Sequence, residues 1–209
     1  MRRSTLILTG LLVLCSCNNP ASDQPKAGTG EAVAVSSPAA ARGDKYSITP
    51  ANSKIEFDAS KVTGSHHGGF EKFSGTIDYT GQIETSRVTI NIETDSVTTD
   101  DPGLTKHLKT PDFFDVAKYP TATFTSTEIK PAASGGDKGA THTITGNLQL
   151  HGVTKSIIFP AKIAVAPDAI TVESTFSINR KDFGINYAGA ADNLIRDEVL
   201  LTLRVRAMK

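Results

Sequence analysis

Between residues 45 and 209 apolar and polar side chains alternate with a period of two. That is the pattern of strands with one dry and one wet face. In Val88-Thr89-Ile90-Asn91-Ile92 the apolar positions are all even. From Val199 to Val205 the odd positions are apolar, with Thr202, Arg204 and Arg206 opposite. Ile170, Val172, Phe176 and Ile178 repeat the alternation, as do Ile144, Leu148 and Leu150. Gly64, Gly68-Gly69, Gly81, Gly135-Gly136, Gly152, Pro167 and Gly184 punctuate the runs as turn signals. The pattern predicts strands over 46–50 with 53–63, then 69–80, 85–97, 121–130, 140–151, 154–166, 169–180 and 197–207. Many long antiparallel strands imply an all-β closed barrel or a sandwich. Strand parity nominates Phe57, Val88, Ile90, Ile92, Phe124, Ile144, Leu148 and Phe176 as inward-facing.

One segment breaks the alternation. Asp101 precedes Pro102 as a helix N-cap precedes a first-turn proline, and Leu104, His107 and Leu108 then share a helical face. Thr110-Pro111-Asp112-Phe113-Phe114-Asp115 repeats the cap-and-proline start. A short helical excursion is expected here, covering one end of the barrel and placing Phe113 and Phe114 at its mouth.

The first 44 residues have another texture. Arg2 and Arg3 precede an apolar run from Leu6 to Leu14, of signal-peptide length and too short to span a bilayer. Leu14-Cys15-Ser16-Cys17 resembles a bacterial lipobox, so residues 1–16 read as a leader and Cys17 as the acylated N-terminus of an anchored protein. Cys15 would leave with the leader, so no disulfide framework supports the fold. Residues 18–44 have no aromatic residue, Leu or Ile and are rich in Ala, Ser, Pro and Gly. They are expected to form a flexible tether with a span of about 30 Å. The 165 residues that follow suit one domain. The chain has 22 basic and 22 acidic residues, a balance that argues against a nucleic-acid partner.

A succession of short motifs then carries a resemblance. Lys61–Phe70 reads KVTGSHHGGF and runs into Phe73-Ser74-Gly75-Thr76-Ile77. His107-Leu108, Asp112-Phe113-Phe114-Asp115, Tyr119-Pro120, Thr123-Phe124, GNLQLHGVTK over 146–155 and INRKDFGI over 178–185 follow in order. Across 45–209 the set resembles the YceI-like family of lipid- and polyisoprenoid-binding proteins. The resemblance implies a lipocalin-like eight-stranded antiparallel barrel. It also implies an apolar tunnel for an isoprenoid chain, such as a polyprenyl phosphate or a quinone tail, with no other cofactor. Thr105-Lys106 stand where familiar members often carry an Arg-Asp pair, which leaves the headgroup preference open.

Polar candidates lie at the expected rim. His66 and His67 point to opposite faces if extended, so they cannot share one metal ion there, and no metal-binding spacing is present. His67, beside Phe70, is a candidate for hydrogen bonding to a headgroup. Arg180 and Asp182 sit where an apolar strand ends. They would either orient a phosphate or quinone oxygen or form a structural ion pair. The leading expectation is a non-enzymatic lipid carrier, anchored in the bacterial envelope through Cys17. Asn18 points to the outer membrane, facing the periplasm, and a homodimer is compatible with this reading. The alternatives are a small hydrolase using His66, His67 and a loop aspartate, and a stress-response envelope protein that binds a partner.

Overall fold

The computed structural model describes residues 19–34, 43–133, 136–191 and 193–209. The leader and Cys17 lie outside the described residues. The strands are β1 (Gly28–Glu31), β2 (Asp44–Ile48), β3 (Lys54–Lys61), β4 (Gly64–Phe70), β5 (Phe73–Tyr79), β6 (Arg87–Glu93), β7 (Val97–Thr99), β8 (Thr121–Pro131), β9 (His142–Leu150), β10 (Val153–Val165), β11 (Ala169–Asn179), β12 (Gly189–Ala190) and β13 (Asn193–Met208). One α-helix, α1 (Pro102–Leu108), interrupts them.

Antiparallel pairing closes the wall on itself. β8, β9, β10, β11 and β13 each fill one position. The other three positions are pairs of strands in line: β2 with β3, β4 with β5, and β6 with β7. β2 and β3 both flank β13, which completes an eight-position barrel. The runs expected as single strands over 69–80 and 85–97 are thus each broken. The two breaks support one another: Lys72 N donates to Ser96 Oγ (3.0 Å), Glu71 N to Ser96 O (3.1 Å) and Glu93 N to Lys72 O (3.0 Å). These bonds pair backbone groups of the two breaks where the wall bends.

Inward residues fill the barrel, and two inward glycines make room for rings. A Cβ on Gly68 would lie 2.5 Å from Phe57 Cζ, and one on Gly146 would strike the Phe124 ring. The predicted helix forms, with Asp101 Oδ1 accepting from Leu104 N at 2.8 Å and Pro102 opening the first turn. Leu104 and Leu108 pack with Phe57, Val97, Phe113 and Phe114 over one barrel end. The second cap-like start, at Thr110, produces turns instead of a helix. Asp115 there takes φ 45° and its N–H bonds back to Thr110 O.

The segment expected to be a free tether departs most from the sequence reading. Residues 19–34 lie along the barrel wall. Gly28–Glu31 pair with Lys155–Ile158 of β10, and Ser177 of β11 exchanges backbone bonds with Pro25 and Ala27 at 2.8 Å each. β10 and β11 pair with each other only through Lys162–Val165 and Ile170–Glu173. Beyond that they part, and the N-terminal segment occupies the seam. Pro160 accounts for the parting. Its carbonyl faces β11, where Ser174 Oγ donates to it at 2.5 Å. Its missing N–H therefore falls on the same edge. Low hydrophobicity did not keep the segment free, because backbone pairing holds it and β1 itself is exposed throughout.

Candidate functional site

The barrel interior contains two apolar cavities, of about 100 and 140 Å³. Ile55, Ile92, Leu148 and Leu201 line both, so the two chambers adjoin at these residues. The first chamber is bounded by Val88, Ile90, Ile92, Phe124, Ile144, Leu148 and Phe176. The second, beneath α1, is bounded by Phe57, Phe70, Phe113, Phe114 and Arg180, with Ile92 and Leu148 again. Twelve of the fourteen residues nominated from sequence meet here. Sequence reasoning missed Ile55, Ala59, Leu150, Ile178, Ile185 and Ile195. Strand parity carried the signal for Ile55, Ala59, Leu150 and Ile178; Ile195 sits at the bulge in β13 and Ile185 in the loop after β11, where no parity operates.

The chemistry of this space follows from its lining. The aromatic rings are arranged as packed hydrocarbon. Phe159 and Phe176 stack at 4.2 Å and 11°, while Phe124 leans on Phe159 at 5.7 Å and Phe70 on Phe114 at 5.7 Å. Arg180 is the one charged side chain on the lining. It is 4% exposed, but its donors are directed into the wall. Nε donates to Arg196 O (3.1 Å), Nη1 to Ile185 O (2.8 Å), and Nη2 to Ile195 O and Asp197 Oδ1 (3.4 Å each). Burial pulls its pKa below the ordinary guanidinium value, and the nearby Asp197 carboxylate opposes that shift. The guanidinium thus satisfies carbonyls around the β13 bulge and shows the cavity only its aliphatic stem. Apolar cavities of this kind exclude water and accept hydrocarbon.

Two nominated residues stand elsewhere. Asp182 lies in the turn after β11, and the ion-pair partner of Arg180 is Asp197, not Asp182. The turn carries Asp182 off the face that strand parity gave it. His67 points outward. Its inward neighbours on β4 are Gly68 and Phe70, and its own imidazole is 56% exposed and bonds Asp58 Oδ1 at 3.0 Å. His66, on the other face, bonds Asp100 Oδ1 at 2.9 Å. The Asp100 carboxyl also accepts from His67 N, and this backbone bond is the main cause holding its pKa below the usual 3.8. His107 bonds Asp112 at 2.8 Å and packs edge-on against Phe113 and Tyr187. Among the described residues no three His, Cys, Asp or Glu side chains converge as metal ligands.

The family model for the YceI-like domain matches residues 46–207. The chain belongs to the YceI-like family. A UPF0312 protein of Vibrio cholerae is 34% identical over 172 residues, 78% of this chain and 88% of that one. A UPF0312 protein of Pseudomonas putida is 35% identical over 136 residues, 62% of this chain and 68% of its own length. Among solved structures, BcnA of Burkholderia cenocepacia superposes with a TM-score of 0.66 at 24% identity, over 77% of this chain and 99% of that one. A polyisoprenoid binding domain from Saccharophagus degradans gives 0.61 at 22%, over 78% and 97%. The Campylobacter jejuni YceI protein gives 0.59 at 26%, over 68% and 84%. The family match begins at residue 46, so the segment 19–34 along the β10–β11 seam lies outside it.

Proposed function

We propose that this protein binds a polyisoprenoid or a similar long-chain amphiphile inside the barrel and carries it in the bacterial envelope, anchored by acyl chains on Cys17. The observation that carries the reading is the two-chambered cavity, whose lining is apolar except for an arginine that turns its donors away. Such a space offers a hydrocarbon chain burial without competition from water. Ten buried methylene-sized groups contribute about 8 kcal/mol before the costs of ordering the ligand. The relative from Saccharophagus degradans, described as a polyisoprenoid binding domain, supports the same ligand class. The lipobox-like Leu14–Cys17 supports the anchor, and Asn18 supports an outer-membrane location facing the periplasm. No chemistry is assigned to the barrel. His66, His67 and His107 are held by hydrogen bonds to Asp100, Asp58 and Asp112, and none of the three imidazoles lines either apolar chamber.

Native mass spectrometry of protein purified from bacterial membranes, with organic extraction of the same sample, tests this. A single adduct that extracts as an isoprenoid or other long-chain lipid is expected. A protein that is lipid-free after mild purification, and that takes up no long-chain amphiphile when one is supplied, would contradict the proposal.

A further inference from the structure

We infer that residues 25–31 are a displaceable side wall of the lipid cavity, and that the ligand is loaded sideways through the seam between β10 and β11. This inference rests on the reading that the cavity takes a long-chain lipid.

Three observations converge on the seam. First, it is a place where two long neighbouring barrel strands part along much of their length. β10 and β11 separate after the Lys162–Glu173 pair, and Pro160 cannot donate across the gap. Second, the gap lies against the ligand space. Ile157 and Phe159 of β10 and Phe176 of β11 line the first chamber, and Ile178 of β11 lines the second. On the inside the Phe159–Phe176 stack bridges the parted strands. A ring flip or rotamer change there would open the cavity to whatever lies outside. Third, what lies outside is a lightly held strap. It completes the backbone pairing of Lys155–Ile158 and Ser177, yet all four residues of β1 are exposed and two of them are glycines.

The fastenings of the strap are polar and mostly exposed. Glu31 pairs with Lys155 at 2.7 Å and Lys26 with Glu198 at 2.7 Å. Asn147 clasps the backbone of Val33 in both directions, at 3.0 and 2.6 Å. Lys138 Nζ donates to Asp23 O (2.5 Å) and Gln24 Oε1 (3.2 Å). Of its apolar groups, Ala21 is buried and Ala27 packs on the core. Exposed ion pairs and edge pairing with little apolar burial give low local stability, so the strap opens far more readily than the barrel unfolds. Release would also bare two strand edges, which favours its return. The strap begins eight residues after Cys17, so a pull on the proposed anchor reaches it through a short lead.

A reversible lock tests this. Gly30 and Ser156 are opposite partners on the outward face, and a Cβ on Gly30 meets nothing within 4 Å. Facing positions of an antiparallel pair lie within disulfide reach. The full chain carrying Gly30→Cys and Ser156→Cys would be mixed with dansyl-labelled geranylgeraniol, and uptake followed by fluorescence before and after reduction with dithiothreitol. Gly30→Cys alone serves as the control. The oxidised protein should load at least ten-fold more slowly than the reduced protein, with the equilibrium affinity changed less than three-fold. Asn147→Ala with Lys155→Ala, which unfastens the strap, should load several-fold faster than the unmodified chain. Equal loading rates in the oxidised and reduced forms would overturn the side gate while leaving lipid binding intact. No uptake by either form, or by the unmodified chain, would overturn the lipid-binding reading and the gate with it.

Discussion

Replacing Arg180 by Met separates a structural arginine from a ligand-binding one. Met keeps an unbranched apolar stem along the cavity and removes every donor. Ile185 O, Ile195 O and Arg196 O then lose their partner, while Asp197 retains Lys181 at 3.0 Å. A buried carbonyl left without a donor costs about 1–3 kcal/mol. Solvent can reach the half-buried Ile195–Arg196 segment and recover part of that. The net loss expected for the three carbonyls together is about 3–5 kcal/mol. Domains of this size lose roughly 2–4 °C per kcal/mol, so the melting temperature should fall by roughly 6–20 °C. Arg180→Lys should fall between wild type and Met, because one ammonium cannot serve carbonyls on two elements. Circular dichroism melting measures both, and lipid content is read by mass spectrometry on samples held well below the transition. The folded Met variant should still carry lipid. A Met variant melting within about 2 °C of wild type would refute the structural role. Loss of lipid from such a stable variant would return Arg180 to the headgroup role that its place in the sequence suggested.

Ile90→Asp puts a carboxylate into the first chamber, where Ile90 is buried. It should cost about 4 kcal/mol or more and displace the lipid, whereas the exposed Asn91→Asp should do neither, as melting and lipid extraction will show. Cys17→Ala should release the protein from membranes into the soluble fraction, and palmitate incorporation by that variant would contradict the anchor. For Asp100 the folded pKa lies below the unfolded value of 3.8. Its stabilising contribution is therefore present above 3.8 and lost as pH falls through the lower folded value. The melting-temperature gap between wild type and Asp100→Asn should be small at neutral pH, because the group is half exposed, and should close below pH 3.8.

The wall of this barrel was legible because parity is a local property. Val88, Ile90 and Ile92 needed only each other to declare one dry face, and Phe124, Ile144, Leu148 and Phe176 joined them from strands equally regular. His67 was misplaced although its correction was also local. Gly68 is the inward position, since only a residue without Cβ admits the Phe57 ring, and its neighbour must then face out. The Arg180–Asp182 pairing failed because a 3-10 turn begins at Arg180, so the parity of β11 ends there. The partner, Asp197, comes from a bulged strand whose register no local pattern carries. The strap was read as a tether because composition reports side-chain burial. What holds residues 25–31 is a row of unpaired backbone groups created by Pro160, 129 residues after Glu31. Such long-range complementarity leaves no trace in the segment itself.

We propose that the lipid lies within the barrel along the two adjoining chambers. Photocrosslinking with a diazirine-bearing isoprenoid, followed by peptide mapping, tests it most directly. Labels should fall on β6, β8, β9 and β11 at Ile90, Ile92, Phe124, Leu148 and Phe176, and be competed away by unlabelled lipid. Labelling confined to outward positions such as Asn91, Ile158 or Val165, or unchanged by competitor, would contradict it.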